Sequence, residues 1–230
     1  GHRIEAKSIG LFISNSCNAS KLFASKTPEG EVVAESIEPY AALAGLSVGR
    51  SVILTGDESF KAEAARILDA LNAFDAIIRH GEDGPFPAEL GKVAPKPGTY
   101  QLGQPDSNVK TALFLSALDQ KGVFELQQGL SGEDDLEVLF RRAGASLEKA
   151  RIEDAAGYRI THEGPQTLNK RDHELPGDAT GALFIMAAAA TRPKSEVQVQ
   201  HAGNDWRTRR LIDLMRRLNL TIAIDKTRSS

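Results

Sequence analysis

The stretch LPGDATGALFIMAAAA, residues 175–190, decides the fold prediction for this chain. It begins with a Pro-Gly-Asp turn, offers Thr180 and Gly181 where a helix would start, and continues as small and apolar residues. Asp178 suits the N-cap, because its carboxylate can accept the unpaired backbone N–H groups of a first helical turn. The pattern predicts a buried helix whose N-terminus offers N–H dipoles and a hydroxyl to an anion. A capped core helix without any ligand is the alternative interpretation.

Two other segments resemble this helix. AALAGLSV, TALFLSAL and GALFIMAA begin at residues 41, 111 and 181, so each follows the previous one by 70 residues. Short buried strands and amphipathic helices surround them, such as the helix at Phe60 to Phe74, whose apolar residues recur at three- and four-residue steps. The sequence therefore predicts an α+β fold of three repeated units, with the helices packed inside and the sheets outside.

The third copy gives the least regular pattern. It predicts helices at Ala179–Thr191 and Trp206–Leu218, with strands at Asp172–Leu175, Glu196–His201 and Leu220–Ile224.

Composition excludes several classes of protein. The chain has 230 residues, 41% of them hydrophobic, which is enough for one large core or two modest ones. A formal net charge of -3 argues against a protein that binds nucleic acid, and no apolar run approaches the roughly eighteen residues of a membrane span. Cys17 is the single cysteine, which fits a reducing compartment. We expect a cytoplasmic protein that binds neither membrane nor nucleic acid.

The segment 206–217 is unusually basic. It contains Arg207, Arg209, Arg210, Arg216 and Arg217. It could bind a phosphate or a nucleic acid, but the net negative charge favours a solvated helix face with Leu211, Leu214 and Leu218 packed inward. The histidines lack metal-ligand spacing, so we predict no metal site, and no glycine loop of the nucleotide-binding types is present.

Four motifs occur in order along the chain: LTGDES at 54–59, NVKTAL at 108–113, LPGD at 175–178 and NDWRTRRLID at 204–213. Together they resemble the 5-enolpyruvylshikimate-3-phosphate (EPSP) synthase family, the enolpyruvyl transferases of the shikimate pathway. The resemblance covers residues 36–225 and implies repeated βαβαββ units, six of them in two domains, which agrees with the repeat above. It also implies transfer of an enolpyruvyl group from phosphoenolpyruvate to shikimate 3-phosphate, without metal or organic cofactor.

The resemblance implies four substrate-binding residues. The family's phosphate-binding hydroxyls fall on Ser107 and Thr180, and its substrate-binding glutamine falls on Asn108, which carries the same amide on a shorter arm. Lys61 lies in the segment where the family has an Arg-Pro pair, and it is the fourth candidate. The alternative is that Ser107 and Thr180 only cap helices.

The chain also departs from the family. Two motifs of the family have no match here: the lysine motif near the start of the family's sequences and the Arg-Pro pair whose arginine binds phosphoenolpyruvate. In the segment of that pair, Glu63 would repel a phosphate, and Arg66 is displaced into the helix. The second domain, which carries the acid and base carboxylates of the family, is expected to be nearly absent. No catalytic residue is assigned, and the sequence leaves enzyme activity open.

We expect residues 36–203 to form an enolpyruvyl-transferase-like domain and 204–230 to start a second one. Residues 1–35 are an N-terminal segment that the sequence does not explain, with a short strand at Ile9–Ile13 and a short helix at Asn15–Ala24. Three functions remain open. In the first, the chain is part of an EPSP synthase or of a divergent relative, and a longer chain, a partner chain or a second copy supplies the missing wall of the site. Alternatively, it is a non-catalytic homologue that binds a phosphorylated metabolite or regulates. The third hypothesis, an assembly module, predicts a large exposed apolar patch.

Overall fold

The computed structural model describes residues 30–91, 95–129, 135–153, 157–166, 179–200, 202 and 206–224. Four sequence-based predictions lie outside these residues: the strand at Ile9–Ile13, the helix at Asn15–Ala24, the strand at Asp172–Leu175 and the Asp178 cap.

The first repeat forms a four-stranded sheet with two helices. Its elements are β1 (Gly30–Ala34), α1 (Ile37–Ser47), β2 (Val52–Gly56), α2 (Lys61–Ala73), β3 (Ile78–His80) and β4 (Ala88–Leu90). The strand order is β1-β2-β4-β3, with β1 and β2 parallel and the other two pairs antiparallel. The two parallel strands need a long crossover between them, which α1 supplies.

The second repeat has the same topology. Its elements are β5 (Gly98–Leu102), α3 (Ser107–Ala117), β6 (Gly122–Gly129), α4 (Asp135–Arg142), β7 (Leu147–Arg151) and β8 (Gly157–Gly164). The strand order β5-β6-β8-β7 repeats the parallel pair followed by two antiparallel pairs. The βαβαββ repeat expected from the resemblance is therefore confirmed for two consecutive units.

The helices α1 and α3 lie inside and pack closely on each other. A Cβ atom added at Gly45 of α1 would stand 2.5 Å from the carbonyl oxygen of Ala112 in α3, so only glycine allows this approach. The sheets show one face to the core, because Val52 and Leu54 of β2 are buried while Ile53 between them is 43% exposed. The predicted arrangement of helices inside and sheets outside is confirmed.

The third copy is represented by α5 (Ala179–Ala190) and α6 (Trp206–Arg217), which pack on each other. The chain divides into two compact units, Gly1–Ser131 with Leu136–His173 and Gly132–Asp135 with Glu174–Ser230. The first holds both sheets, and the second holds α5 and α6. The predicted domain boundaries stay a prediction.

Two strands predicted in the third copy were wrong. Residues 196–200, the described part of Glu196–His201, are irregular, and so are Leu220–Ile224. An alternating pattern gives a strand an apolar face, but a strand also needs an adjacent strand whose backbone groups form hydrogen bonds with its own. Neither segment forms a ladder within the described part of the chain.

The prediction that the helix within residues 175–190 is buried was also wrong for its described part, residues 179–190. Phe184 and Ile185 of α5 are 72% and 51% exposed, although Ala182 is buried. A helix that is apolar on every side needs neighbours on every side, and α6 covers one of them.

The inward packing predicted for the basic helix was wrong as well. Leu211, Leu214 and Leu218 are 43%, 52% and 67% exposed, while Thr208 and Ile212, one turn apart, form the buried face of α6. No helix in the described part of the chain is long and apolar enough to cross a membrane.

Candidate functional site

The N-terminus of α3 is capped by Asp106. Its carboxylate oxygen Oδ1 accepts hydrogen bonds from the backbone N–H groups of Asn108, at 3.0 Å, and of Val109, at 3.1 Å. Ser107 is the first residue of the helix rather than its cap. The alternative in which Ser107 caps α3 is therefore wrong. Aspartate and serine can both cap a helix, and Asp106 is the cap because its backbone is extended while Ser107 is already helical.

Arg66 of α2 reaches the same point. Its Nη2 lies 3.6 Å from Oδ2 of Asp106, and its side chain is 63% exposed. This contact joins α2 to the N-cap of α3, the residue that precedes Ser107 and Asn108 in the chain. The sequence shows Arg66 only as a residue inside a helix, and no spacing rule in the sequence links it to Asp106.

An open cleft of about 420 Å³ lies between the end of β5 and the start of α3. Its lining residues are Arg66, Tyr100, Leu102, Gly103, Gln104, Pro105, Asp106 and Val109. The guanidinium, the phenol and the amide among them can donate hydrogen bonds, and the aliphatic side chains can contact the carbon skeleton of a small ligand. The cleft thus suits a small polar molecule.

Tyr100 is a hydrogen-bond donor in this cleft over the whole physiological pH range. Burial raises the pKa of the Tyr100 phenol, and the nearby carboxylates of Asp69 and Asp106 raise it further because they oppose a second negative charge. Its hydroxyl therefore stays protonated.

Lys61 does not line this cleft. It begins α2, and its ammonium pairs with the Glu58 carboxylate at 2.5 Å. The turn before it is fixed by Asp57, whose carboxylate accepts the N–H of Ser59 at 2.7 Å. These hydrogen bonds from Ser59 lower the pKa of Asp57. The motif at 54–59 is thus a structural turn, and the Lys61 that follows it is held by an acidic neighbour.

Thr180 is the second residue of α5, in the other compact unit. Its predicted place in the first turn of a helix is confirmed, and its side chain lies outside the described part of the structure. Ser107 and Asn108 lie together in the first turn of α3, directly after the Asp106 cap that Arg66 contacts. Across the described ranges, no cluster of three or more His, Cys, Asp or Glu side chains could hold a metal ion.

Comparison with known proteins identifies the family. The sequence profile described as EPSP synthase (3-phosphoshikimate 1-carboxyvinyltransferase) matches residues 35–229. The chain belongs to the EPSP synthase family. The matched range runs from α1 of the first repeat through the whole second repeat and the α5–α6 unit, so the resemblance carried by the four motifs is confirmed.

Curated members of the EPSP synthase family are similar to this chain over most of its length. The 3-phosphoshikimate 1-carboxyvinyltransferase of Gluconobacter oxydans is 32% identical over 68% of the chain and 36% of its own length. Those of Rhodospirillum rubrum and Thermus thermophilus are 30% and 34% identical, over 76% and 72% of the chain. The chain spans 39% of the length of each of these two.

The fold comparison agrees. An EPSP synthase from Acinetobacter baumannii superposes on 84% of this chain and 44% of its own, with a TM-score of 0.68 and 21% identity. At that identity the likeness establishes the fold, and it supports the repeat topology described above.

Proposed function

We propose that this chain forms part of the substrate-binding surface of an EPSP synthase-type transferase and binds shikimate 3-phosphate. Ser107, Asn108 and Thr180 are the proposed contacts to this substrate. The observation that carries the proposal is the first turn of α3, where Ser107 and Asn108 directly follow Asp106, which lines the cleft and contacts the Arg66 guanidinium. Hydroxyl, amide and guanidinium donors near a helix N-terminus are the groups that recognise a phosphate ester.

The reaction we propose is that of the family, enolpyruvyl transfer from phosphoenolpyruvate to shikimate 3-phosphate. It needs donors for two anionic substrates and groups that add and remove protons during addition and elimination. The described cleft supplies donors for an anion, and we assign it no acid or base. Proton transfer is accordingly proposed to use groups outside this cleft, with no metal or organic cofactor.

Calorimetric titration with shikimate 3-phosphate tests the binding proposal. We expect the affinity of a Ser107→Ala, Thr180→Ala double variant to fall by about 1–3 kcal/mol, because charge-assisted hydrogen bonds are lost. Thr191→Ala is the matched control, since this exposed hydroxyl bonds Ala188 at the far end of the helix that contains Thr180. No heat with the unmodified chain at millimolar ligand would refute the proposal.

A non-catalytic role is the second candidate, and one observation favours it. Two basic side chains near the motif at 54–59 and the cleft are paired with carboxylates of the chain itself, Lys61 with Glu58 and Arg66 with Asp106. Such pairing reduces what each cation offers to phosphoenolpyruvate. The assembly hypothesis has separate support, because α5 and α6 carry the exposed apolar residues named above.

An activity assay, a binding titration and light scattering together separate three candidates. Release of inorganic phosphate from phosphoenolpyruvate in the presence of shikimate 3-phosphate supports the transferase. Binding of shikimate 3-phosphate with no turnover supports a phosphometabolite-binding homologue. A concentration-dependent mass in light scattering, without any ligand binding, supports an assembly module.

A further inference from the structure

The first turn of α3 already holds an anion of its own. The Asp106 carboxylate accepts two of the N–H groups that a helix N-terminus would offer to a ligand, and its second oxygen faces Arg66. The side chain of Asp106 is 22% exposed and lines the cleft together with Arg66 and Tyr100. This inference concerns the binding site of the proposed function and rests on it.

A phosphate ester that approaches Ser107 and Asn108 meets this carboxylate. Like charges within a few ångströms repel, and the repulsion is stronger in a partly buried cleft than in water. The two N–H groups and the guanidinium that could stabilise a phosphate are the groups that Asp106 uses. A ligand gains the two N–H groups only when the carboxylate moves away.

We propose that Asp106 is a specificity-determining residue, an internal anion that lowers the affinity of this cleft for a phosphate dianion. The site therefore discriminates less between shikimate 3-phosphate and unphosphorylated shikimate than a site with a neutral cap would. Arg66 limits the penalty because it stays within reach of both the carboxylate and the incoming phosphate.

The test compares the chain with its Asp106→Ser variant, with shikimate 3-phosphate and shikimate as ligands in calorimetry. Serine also caps helices, so the variant keeps an acceptor for the first turn. We expect shikimate 3-phosphate to bind roughly tenfold more tightly to the variant, which corresponds to one recovered charge-assisted hydrogen bond. Shikimate affinity should change less than about twofold, because the neutral hydroxyl meets no repulsion.

Asp69→Asn is the matched control for net charge. Asp69 is an exposed residue of α2 whose charge also acts on Tyr100, but it does not cap α3. This control should leave the affinity for shikimate 3-phosphate within about twofold, because the charge is screened by solvent. Arg66→Gln should weaken binding of shikimate 3-phosphate more in the Asp106→Ser background than in the unmodified chain. In that background the guanidinium has lost the Asp106 carboxylate and can pair with the ligand instead.

The outcomes separate this inference from the proposed function. If the unmodified chain binds shikimate 3-phosphate and the Asp106→Ser variant binds it no better, the inference is overturned and the proposed function stands. If only the variant binds, the inference stands and the proposed function of the unmodified chain fails. If neither binds, or if the Asp69→Asn control gains as much as Asp106→Ser, the inference is overturned.

Discussion

Removal of Glu137 should destabilise the protein far more than removal of Lys110, although the two form a single buried ion pair. Lys110 Nζ of α3 lies 2.6 Å from Glu137 Oε1 of α4, and each side chain is 2% exposed. Lys149 of β7 approaches the other carboxylate oxygen at 3.2 Å and is 21% exposed. One carboxylate therefore serves two cations and joins α3, α4 and β7.

The expected magnitudes follow from this geometry. Glu137→Leu leaves two ammonium groups without their shared carboxylate, one of them in the core, and should cost about 3–5 kcal/mol of unfolding free energy. Lys110→Met should cost only about 1–3 kcal/mol, because Lys149 still neutralises Glu137. The double variant should recover part of the Glu137→Leu loss, since an apolar pair replaces the ionic one.

Urea unfolding, followed by far-ultraviolet circular dichroism, measures these differences. Glu148→Leu is a control on the same strand as Lys149, because an exposed carboxylate contributes little to stability. The reasoning would be refuted if Lys110→Met cost as much as Glu137→Leu. Strict additivity in the double variant would refute it too.

Three further predictions concern the core. The Tyr40 hydroxyl is buried with no hydrogen-bond partner among the described residues, and burial raises the pKa of this phenol well above its usual range. Tyr40→Phe should therefore raise the unfolding free energy by about 1 kcal/mol. A loss of stability in urea unfolding would show that the hydroxyl has a partner. Burial lowers the pKa of His162, so below pH 6.5 the unfolded chain binds a proton that the folded chain does not. Stability should therefore fall with decreasing pH, by at most about 1.4 kcal/mol per pH unit, until the folded pKa is passed. In urea titrations from neutral to acidic pH, His162→Phe should have a shallower decline, and an unchanged slope would contradict the assignment. Gly45→Ala should lower the unfolding free energy by about 1–3 kcal/mol, because its Cβ would meet Ala112. Gly98→Ala is the control: its Cβ would have open space around it, and thermal stability should change by far less. Equal effects of the two variants would contradict the close helix packing.

The sequence predicts the two complete repeats well, because local patterns determine them. The apolar spacing of α2 and the small residues of α1 and α3 each favour one element, and these elements are formed. Element boundaries moved slightly: the helix predicted at Phe60 to Phe74 is formed at Lys61–Ala73.

The third copy was predicted less well for a physical reason. Its helices follow from their own residues, and α5 and α6 are formed as predicted. Strands and burial depend on neighbours, and the α5–α6 unit described here does not supply them.

The candidate site was predictable only in part. The motif at 108–113 and the residue before it indicate a helix N-terminus, and α3 begins at Ser107. The contact between Arg66 and Asp106 joins residues 40 positions apart and depends on the packing of α2 against α3. No local sequence pattern predicts a contact between residues so far apart along the chain.

The most direct test of the central claim is an amide NMR titration of the chain with shikimate 3-phosphate. If the first turn of α3 holds the phosphate ester, the backbone amides of Ser107, Asn108 and Val109 should shift with a common saturation curve, together with the side-chain Nε–H of Arg66. Saturable shifts confined to other parts of the chain, with these four signals unmoved, would contradict the account.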